Sequence, residues 1–195
     1  SSGGNAGIAA AYAGQKLDLQ TTIVVPSTTS QAVRQRIRNL GAAVIEHGGV
    51  WDEADVFARI YARENNLAYI HPFDDPLIWS GHASMIKDLK EQGPKPDVIV
   101  CSVGGGGLMC GVVEGLQAQG WSDVPVIAVE THGAASLQAS VSAGELVTID
   151  AITSIAKTLG ARRVAQRAFE LTQAHPIHCL QVSDDQAVRG CIDLA

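Results

Sequence analysis

Val98-Ile-Val-Cys-Ser-Val-Gly-Gly-Gly-Gly-Leu-Met-Cys-Gly-Val-Val113 is the stretch from which the rest of the chain can be read. The apolar run Val98 to Val103 reads as a buried strand. Gly104 to Gly107 break it, and Leu108, Val112 and Leu116 then recur on one stripe of a helix. Strand, glycine turn and helix N-terminus together make an anion trap. Glycines let the backbone come close to a bound group, and the N–H groups of the turn and of the first helical residues point at it. A phosphate is the guest this predicts. The alternative is a tight turn with no ligand.

Composition sets the frame. With 46% apolar residues, 20 glycines and only 5% aromatics, the 195-residue chain suits closely packed α/β layers in one large or two small domains. A net charge of −6 and the lack of a basic run argue against a nucleic-acid surface. No apolar segment approaches the roughly 20 residues that span a bilayer. Cys101, Cys110, Cys179 and Cys191 show no CxxC spacing, so reduced cysteines in a cytoplasmic protein are the expectation. Ser1 has no Met before it and the last helical pattern stops at Ala195, which suggests a fragment of a longer protein.

A second glycine-rich turn opens the chain, Ser1-Ser2-Gly3-Gly4-Asn5-Ala6-Gly7, ahead of a helix of small residues. Asn5 is either a ligand or that helix's N-cap. A strand over Gln20 to Val25 comes after it. Next is a helix capped by Thr29 or Ser30 and running to Leu40, with Ala32, Val33, Ile37 and Leu40 at helical spacing and Arg34, Arg36 and Arg38 on a solvated face. A strand over Ala43 to Glu46, a helix over Asp52 to Asn65 with Val56, Ile60 and Leu67 inward, and a strand over Leu67 to Ile70 complete a small parallel unit, residues 1–72. The Pro72-Phe73-Asp74-Asp75-Pro76 linker leads into part of a larger domain, residues 73–195. There we expect a helix over Leu77 to Gln92, the glycine strand and helix, and a strand over Pro125 to Glu130. A helix over Ala134 to Ala143, a short strand over Leu146 to Ile149 and a loop over Ala151 to Gly160 come next. The chain then has a helix over Ala161 to Ala174, a strand over Ile177 to Val182, and a last helix opened by a Ser183–Gln186 capping box. His175, His178 and Cys179 do not read as a metal site, because strand neighbours face opposite ways and no second ligand pair completes it.

A dinucleotide fold is the general reading of such turns, with Glu130 as the ribose-binding acid. The G-x-G-x-x-G spacing is absent, since Met109 and Cys110 stand where its last glycine would fall.

The residues are instead similar to a family. Ser1 to Gly7 resembles the asparagine loop of fold-type II pyridoxal-phosphate enzymes, and Ser102 to Leu108 resembles their phosphate loop. Pro72 to Pro76, Ile78 to Ser84, Val129 to Ala134 and Ile152 to Gly160 narrow the resemblance to the liver-type L-serine dehydratase / L-threonine deaminase branch, including its serine dehydratase-like members. It covers essentially the whole chain. The resemblance implies an α/β, tryptophan synthase β-like architecture of two parallel-sheet domains. It also implies deamination of L-serine to pyruvate and ammonia, and of L-threonine to 2-oxobutyrate, by β-elimination on pyridoxal 5'-phosphate.

The site is likewise implied by resemblance. Gly104, Gly105, Gly106, Gly107 and Leu108 would hold the cofactor phosphate, and Asn5 the ring hydroxyl. Ser2, Gly3 and Asn5 would take the substrate carboxylate, with Ser1 beside them. Gly104, Glu130, Ala134, Leu159 and Ala161 would bind a monovalent cation such as potassium. For Glu130 the alternative is an acid that merely ends a strand. Asp74 and Asp75 would lie at a hinge, and His82 and His132 would be packed or surface residues. The family's catalytic lysine, which binds the cofactor as a Schiff base, is expected upstream of Ser1. Lys16, Lys87, Lys90, Lys95 and Lys157 do not stand in its motif. Gly3 stands where many dehydratases carry Ala or Ser, which predicts a roomier carboxylate pocket. The implied partners are a small amino-acid substrate and a second copy in a homodimer, with no nucleic acid or membrane. Two other functions stay open. One is β-replacement or threonine-synthase chemistry on the same fold. The other is a non-catalytic truncated binding module.

Overall fold

The computed structural model describes residues 1–194. The chain forms two compact units, Ser1–Pro72 and Phe73–Ala195, each built on a parallel sheet.

In the first unit, α1 (Asn5–Lys16) leads to β1 (Thr22–Val25), α2 (Gln31–Asn39), β2 (Ala43–Glu46) and α3 (Trp51–Glu64). β1 and β2 pair in parallel, with Thr22 opposite Ala43 and Val25 opposite Glu46. The small residues of α1 do what their size permits: Gly7, Ala11 and Gly14 are the buried ones, and a Cβ on Gly7 would stand 3.2 Å from the Ile23 side chain. Ser30 caps α2 by accepting the Val33 N–H, and Ile37 is fully buried beneath it. Arg34 and Arg38 are not merely solvated, because both pair with Glu46 at the end of β2.

Two expectations for this unit are corrected. The inner face of α3 is Ala54, Asp55, Ala58 and Ala62, whereas Val56, Ile60 and Leu67 are exposed. Hydrophobicity alone picked the wrong stripe, since alanines let α3 lie close to Val24 of β1. Leu67 to Ile70 forms no ladder among the described residues, so it is not a strand.

In the second unit, α4 (Pro76–Gln92) begins on Asp75, whose carboxylate accepts the Leu77 N–H at 2.8 Å. After it come β3 (Ile99–Ser102), α5 (Gly107–Ala118), β4 (Val126–Thr131), a 3₁₀ turn (His132–Ala134) and α6 (Ser136–Ala143). The unit ends with α7 (Gln166–Ala174), β5 (Ile177–Val182) and α8 (Asp184–Leu194). The sheet order is β3-β4-β5, all parallel. Met109, Val113 and Leu116 of α5, Val126 of β4 and Leu171 of α7 meet in one core. Gly111 and Gly115 form the seam between α5 and α4: a Cβ on Gly115 would lie 2.8 Å from the Ala83 carbonyl oxygen. Helical glycine costs about 1 kcal/mol against alanine, and here it permits backbone-to-backbone approach.

Three further expectations are corrected. Among the described residues β3 is covered on one face only, with Val100 62% exposed while Cys101 and Val103 face the core. Leu146 to Ile149 is irregular. The helix expected from Ala161 starts at Gln166, because Val164 and Ala165 are held in an extended approach to the glycine loop, where the Ala165 N–H donates to the Gly105 carbonyl. The Ser183–Gln186 box is present in both directions: Gln186 N donates to Ser183 Oγ and Ser183 N to Gln186 Oε1. No described helix is long and apolar enough to cross a membrane.

Candidate functional site

The glycine loop sits at the C-terminal end of β3. Val103 N donates to Val129 O, which carries the ladder up to the first glycine. All four glycines are buried and each is hemmed in by backbone or side chain. A Cβ on Gly104 would collide with the Leu159 carbonyl oxygen, and one on Gly107 would come within 2.9 Å of Phe73 Cα. Gly106 has φ +88°, a conformation that side chains disfavour. Two of the loop's carbonyls are engaged, since Gly105 O accepts from Ala165 N and Gly106 O from Cys110 N. Its N–H groups are not. Among the described residues, Gly104, Gly105, Gly106, Gly107 and Leu108 donate to no acceptor. Buried N–H groups are almost always paired. Gly107 and Leu108 are first-turn donors that any helix leaves open, and with Gly104 to Gly106 they form a set of backbone donors able to seat an anion.

The first unit carries the other turn. Gly4, not Asn5, is the N-cap of α1, and no side chain caps it; Asn5 is the first helical residue and is exposed. The Asn5 amide makes no hydrogen bond among the described residues, so it has no structural use as a cap. Ser2 is anchored: its N–H donates to Val24 O, and its Oγ accepts from Gly4 N at 3.2 Å. The donors left for an anion are the Ser2 hydroxyl, the N–H of Gly3 and the first N–H groups of α1. A Cβ on Gly3 would press on Thr29, with Thr29 Cβ and Cγ2 each at 3.3 Å. A side chain at position 3 would therefore meet a packed neighbour.

Glu130 ends β4 and is 2% exposed. Its oxygens accept the Leu137 and Gln138 N–H groups, both at 2.8 Å, at the N-terminus of α6. Burial pushes its carboxyl above the ordinary range, and these two bonds pull back only in part. Gly160 faces Ala134, and Leu159 O lies against Gly104, so those three segments converge. Sequence reasoning missed Ser136, whose buried Oγ finds no partner, on the helical turn that binds Glu130. It also missed Ser154, a buried hub. Ser154 Oγ accepts from Thr131 Oγ1 and Ala156 N and donates to Asp184 Oδ1. Neither serine has a sequence signal, since a buried serine looks like any other.

His175 Nε2 meets Val124 O, His132 Nδ1 meets Gln181 Oε1, and burial lowers the pKa of His82. No cluster of three metal-ligating side chains exists among the described residues.

The family model for pyridoxal-phosphate dependent enzymes matches residues 1–195. The chain belongs to that family. This pyridoxal-phosphate family chain is 54% identical over 190 residues to the human L-serine dehydratase/L-threonine deaminase, covering 96% of this chain and 58% of that one. It is 52% identical over 189 residues to the human serine dehydratase-like protein, covering 96% and 57%. The solved L-serine ammonia-lyase of the fungus Rhizomucor miehei superposes with a TM-score of 0.82 at 43% identity, over 89% of this chain and 56% of that one. The chain thus spans a little over half the length of the relatives it matches.

Proposed function

We propose that the protein to which these residues belong deaminates L-serine to pyruvate and ammonia, and L-threonine to 2-oxobutyrate, with pyridoxal 5'-phosphate as cofactor. The observation that carries this reading is the run of unpaired N–H groups from Gly104 to Leu108, its four glycines buried, of a size and charge preference to fit the cofactor phosphate. The relatives named for serine and threonine deamination support the substrate class.

The cofactor, when bound, draws electrons from the substrate Cα and so eases loss of the α-proton and β-hydroxyl. The chain's own residues bind and orient. Gly104, Gly105, Gly106, Gly107 and Leu108 hold the phosphate through N–H groups whose geometry is fixed before binding. The free amide of Asn5 hydrogen-bonds the ring hydroxyl and adds no charge. Ser2, Gly3 and Asn5 hold the substrate carboxylate at the positive end of α1. All five lysines are exposed and none lies on either glycine turn. The lysine that binds the cofactor and moves the α-proton is therefore assigned to a part of the protein other than these residues.

A potassium ion belongs to the same reading, held by carbonyls of Gly104, Ala134, Leu159 and Ala161 with the Glu130 carboxylate. The convergence of Gly104 with Leu159 O and of Gly160 with Ala134 supports it, since oxygen ligands suit a hard cation. A homodimer and a cytoplasmic location complete the proposal. The four cysteines, all free, suit a reducing compartment.

The test is the full-length protein assayed with L-serine and no added thiol. Pyruvate and ammonia in equal amounts are expected. Turnover only with a thiol co-substrate would mean β-replacement, and phosphate-ligand binding without turnover would mean a binding module.

A further inference from the structure

We propose that Asp55 is a positioning residue for the substrate-carboxylate turn, acting through Ser1. This rests on the function proposed above, and it concerns a residue outside either glycine turn.

Asp55 lies on the inner face of α3, where its neighbours at helical spacing are Ala58 and Ala62, and it is 7% exposed. A buried carboxylate among alanines is costly unless it is paired and hydrogen-bonded. Asp55 is both. Its Oδ1 accepts the Ser1 hydroxyl at 2.8 Å and the Tyr69 hydroxyl, and its Oδ2 accepts Arg59 Nε at 2.8 Å. The Arg59 guanidinium also lies over the Tyr69 ring, 4.5 Å from its centroid. One turn earlier on α3, Trp51 Nε1 donates to the Ser1 carbonyl at 3.2 Å. α3 therefore grips Ser1 at both its hydroxyl and its carbonyl.

The grip on Ser1 bears directly on the turn beside it. Gly3-Gly4 is the loosest backbone a chain can have. Such a turn presents N–H groups in a fixed direction only if both ends are held. Downstream, α1 holds it. Upstream, Ser2 N is tied to Val24 O and Ser1 to Asp55 and Trp51. Arg59 offsets the Asp55 charge, so the anchor does not repel an incoming carboxylate. Asn at this position would keep the shape with one acceptor in place of two. Either the Ser1–Tyr69 pair or the Arg59 bond would then be lost.

The experiment uses the full-length holoenzyme and two variants. Asp55→Asn removes the second acceptor, and Ser1→Ala removes the hydroxyl while leaving the buried acid intact, so the test survives if the first variant does not fold. Steady-state kinetics with L-serine are measured alongside binding of L-alanine and of L-alaninamide, followed by the cofactor's visible absorbance. In both variants KM for L-serine and the dissociation constant of L-alanine should rise about tenfold, the worth of one good hydrogen bond to an anion. The kcat, the cofactor affinity and the binding of L-alaninamide, which lacks the carboxylate, should stay near wild type. Equal weakening of alanine and alaninamide, or unchanged KM in both variants of an active enzyme, overturns the role of Asp55 and leaves the deaminase reading standing. A wild-type holoenzyme that forms no pyruvate overturns both.

Discussion

The Leu159 carbonyl oxygen fills the space that a side chain on Gly104 would need. That contact packs the loop over 151–160 against the phosphate loop and leaves no room for a side chain at Gly104. Gly104→Ala should destabilise the protein by about 1–3 kcal/mol, the usual cost of overpacking, and should release the cofactor. Thermal unfolding with and without added pyridoxal phosphate checks it. Cofactor-dependent stabilisation should shrink in the variant, which separates loss of the seat from loss of the fold.

Gly3 and Thr29 form the corresponding pair in the first unit. Thr29 is buried, and its branched side chain has little room to turn. Gly3→Ala should therefore raise KM for L-serine by displacing the turn, and Thr29→Ala in the same chain should largely restore it. A double-mutant cycle should show coupling on the order of 1 kcal/mol. Additive effects would mean that Thr29 does not set the position of Gly3.

Ser154 is the knot of the loop that carries Leu159. Removing its hydroxyl leaves the Thr131 hydroxyl and the Ala156 N–H without their acceptor. Ser154→Ala should cost about 1–3 kcal/mol, the penalty for buried donors left unsatisfied. Amide exchange over 151–160 should quicken more than exchange in β4, and cofactor affinity should fall with it. Exchange that quickens everywhere alike would place the effect in global stability alone.

The fold was legible where one physical signal dominated. β2 and β5 fall where alternation and turn residues put them, and the glycine loop sits at the head of α5 as its spacing demands. The misreadings share a cause, which is packing that sequence does not record. α3 turned its alanines inward because close approach to β1 outweighs the larger apolar side chains of Val56 and Ile60. Residues 161–165 have helical composition, yet they are used in reaching the Gly105 carbonyl. In the candidate site, the backbone donors could be read from the glycine run. Ser136, Ser154 and Asp55 could not, since their meaning lies in partners far away along the chain. Asp55 alone left a trace, as an acid on an otherwise alanine-lined face.

Glu130 offers the sharpest test of the cation. Burial raises its carboxyl in the native protein above the unfolded value. The native state therefore holds its proton more tightly, and stability attributable to Glu130 falls as pH rises from the ordinary carboxylate range of about 4 through the raised value. Glu130→Gln does not titrate, and it turns an amide N–H₂ towards one of two backbone donors, at about 1–3 kcal/mol. Without added monovalent cation, urea unfolding should show the gap between wild type and variant widest near pH 4 and narrower at neutral pH. Potassium should reverse that trend for the wild type alone, because a cation that binds the ionised native site stabilises it by mass action. If the gap narrows with pH in potassium just as it does without it, Glu130 only ends a strand and anchors α6.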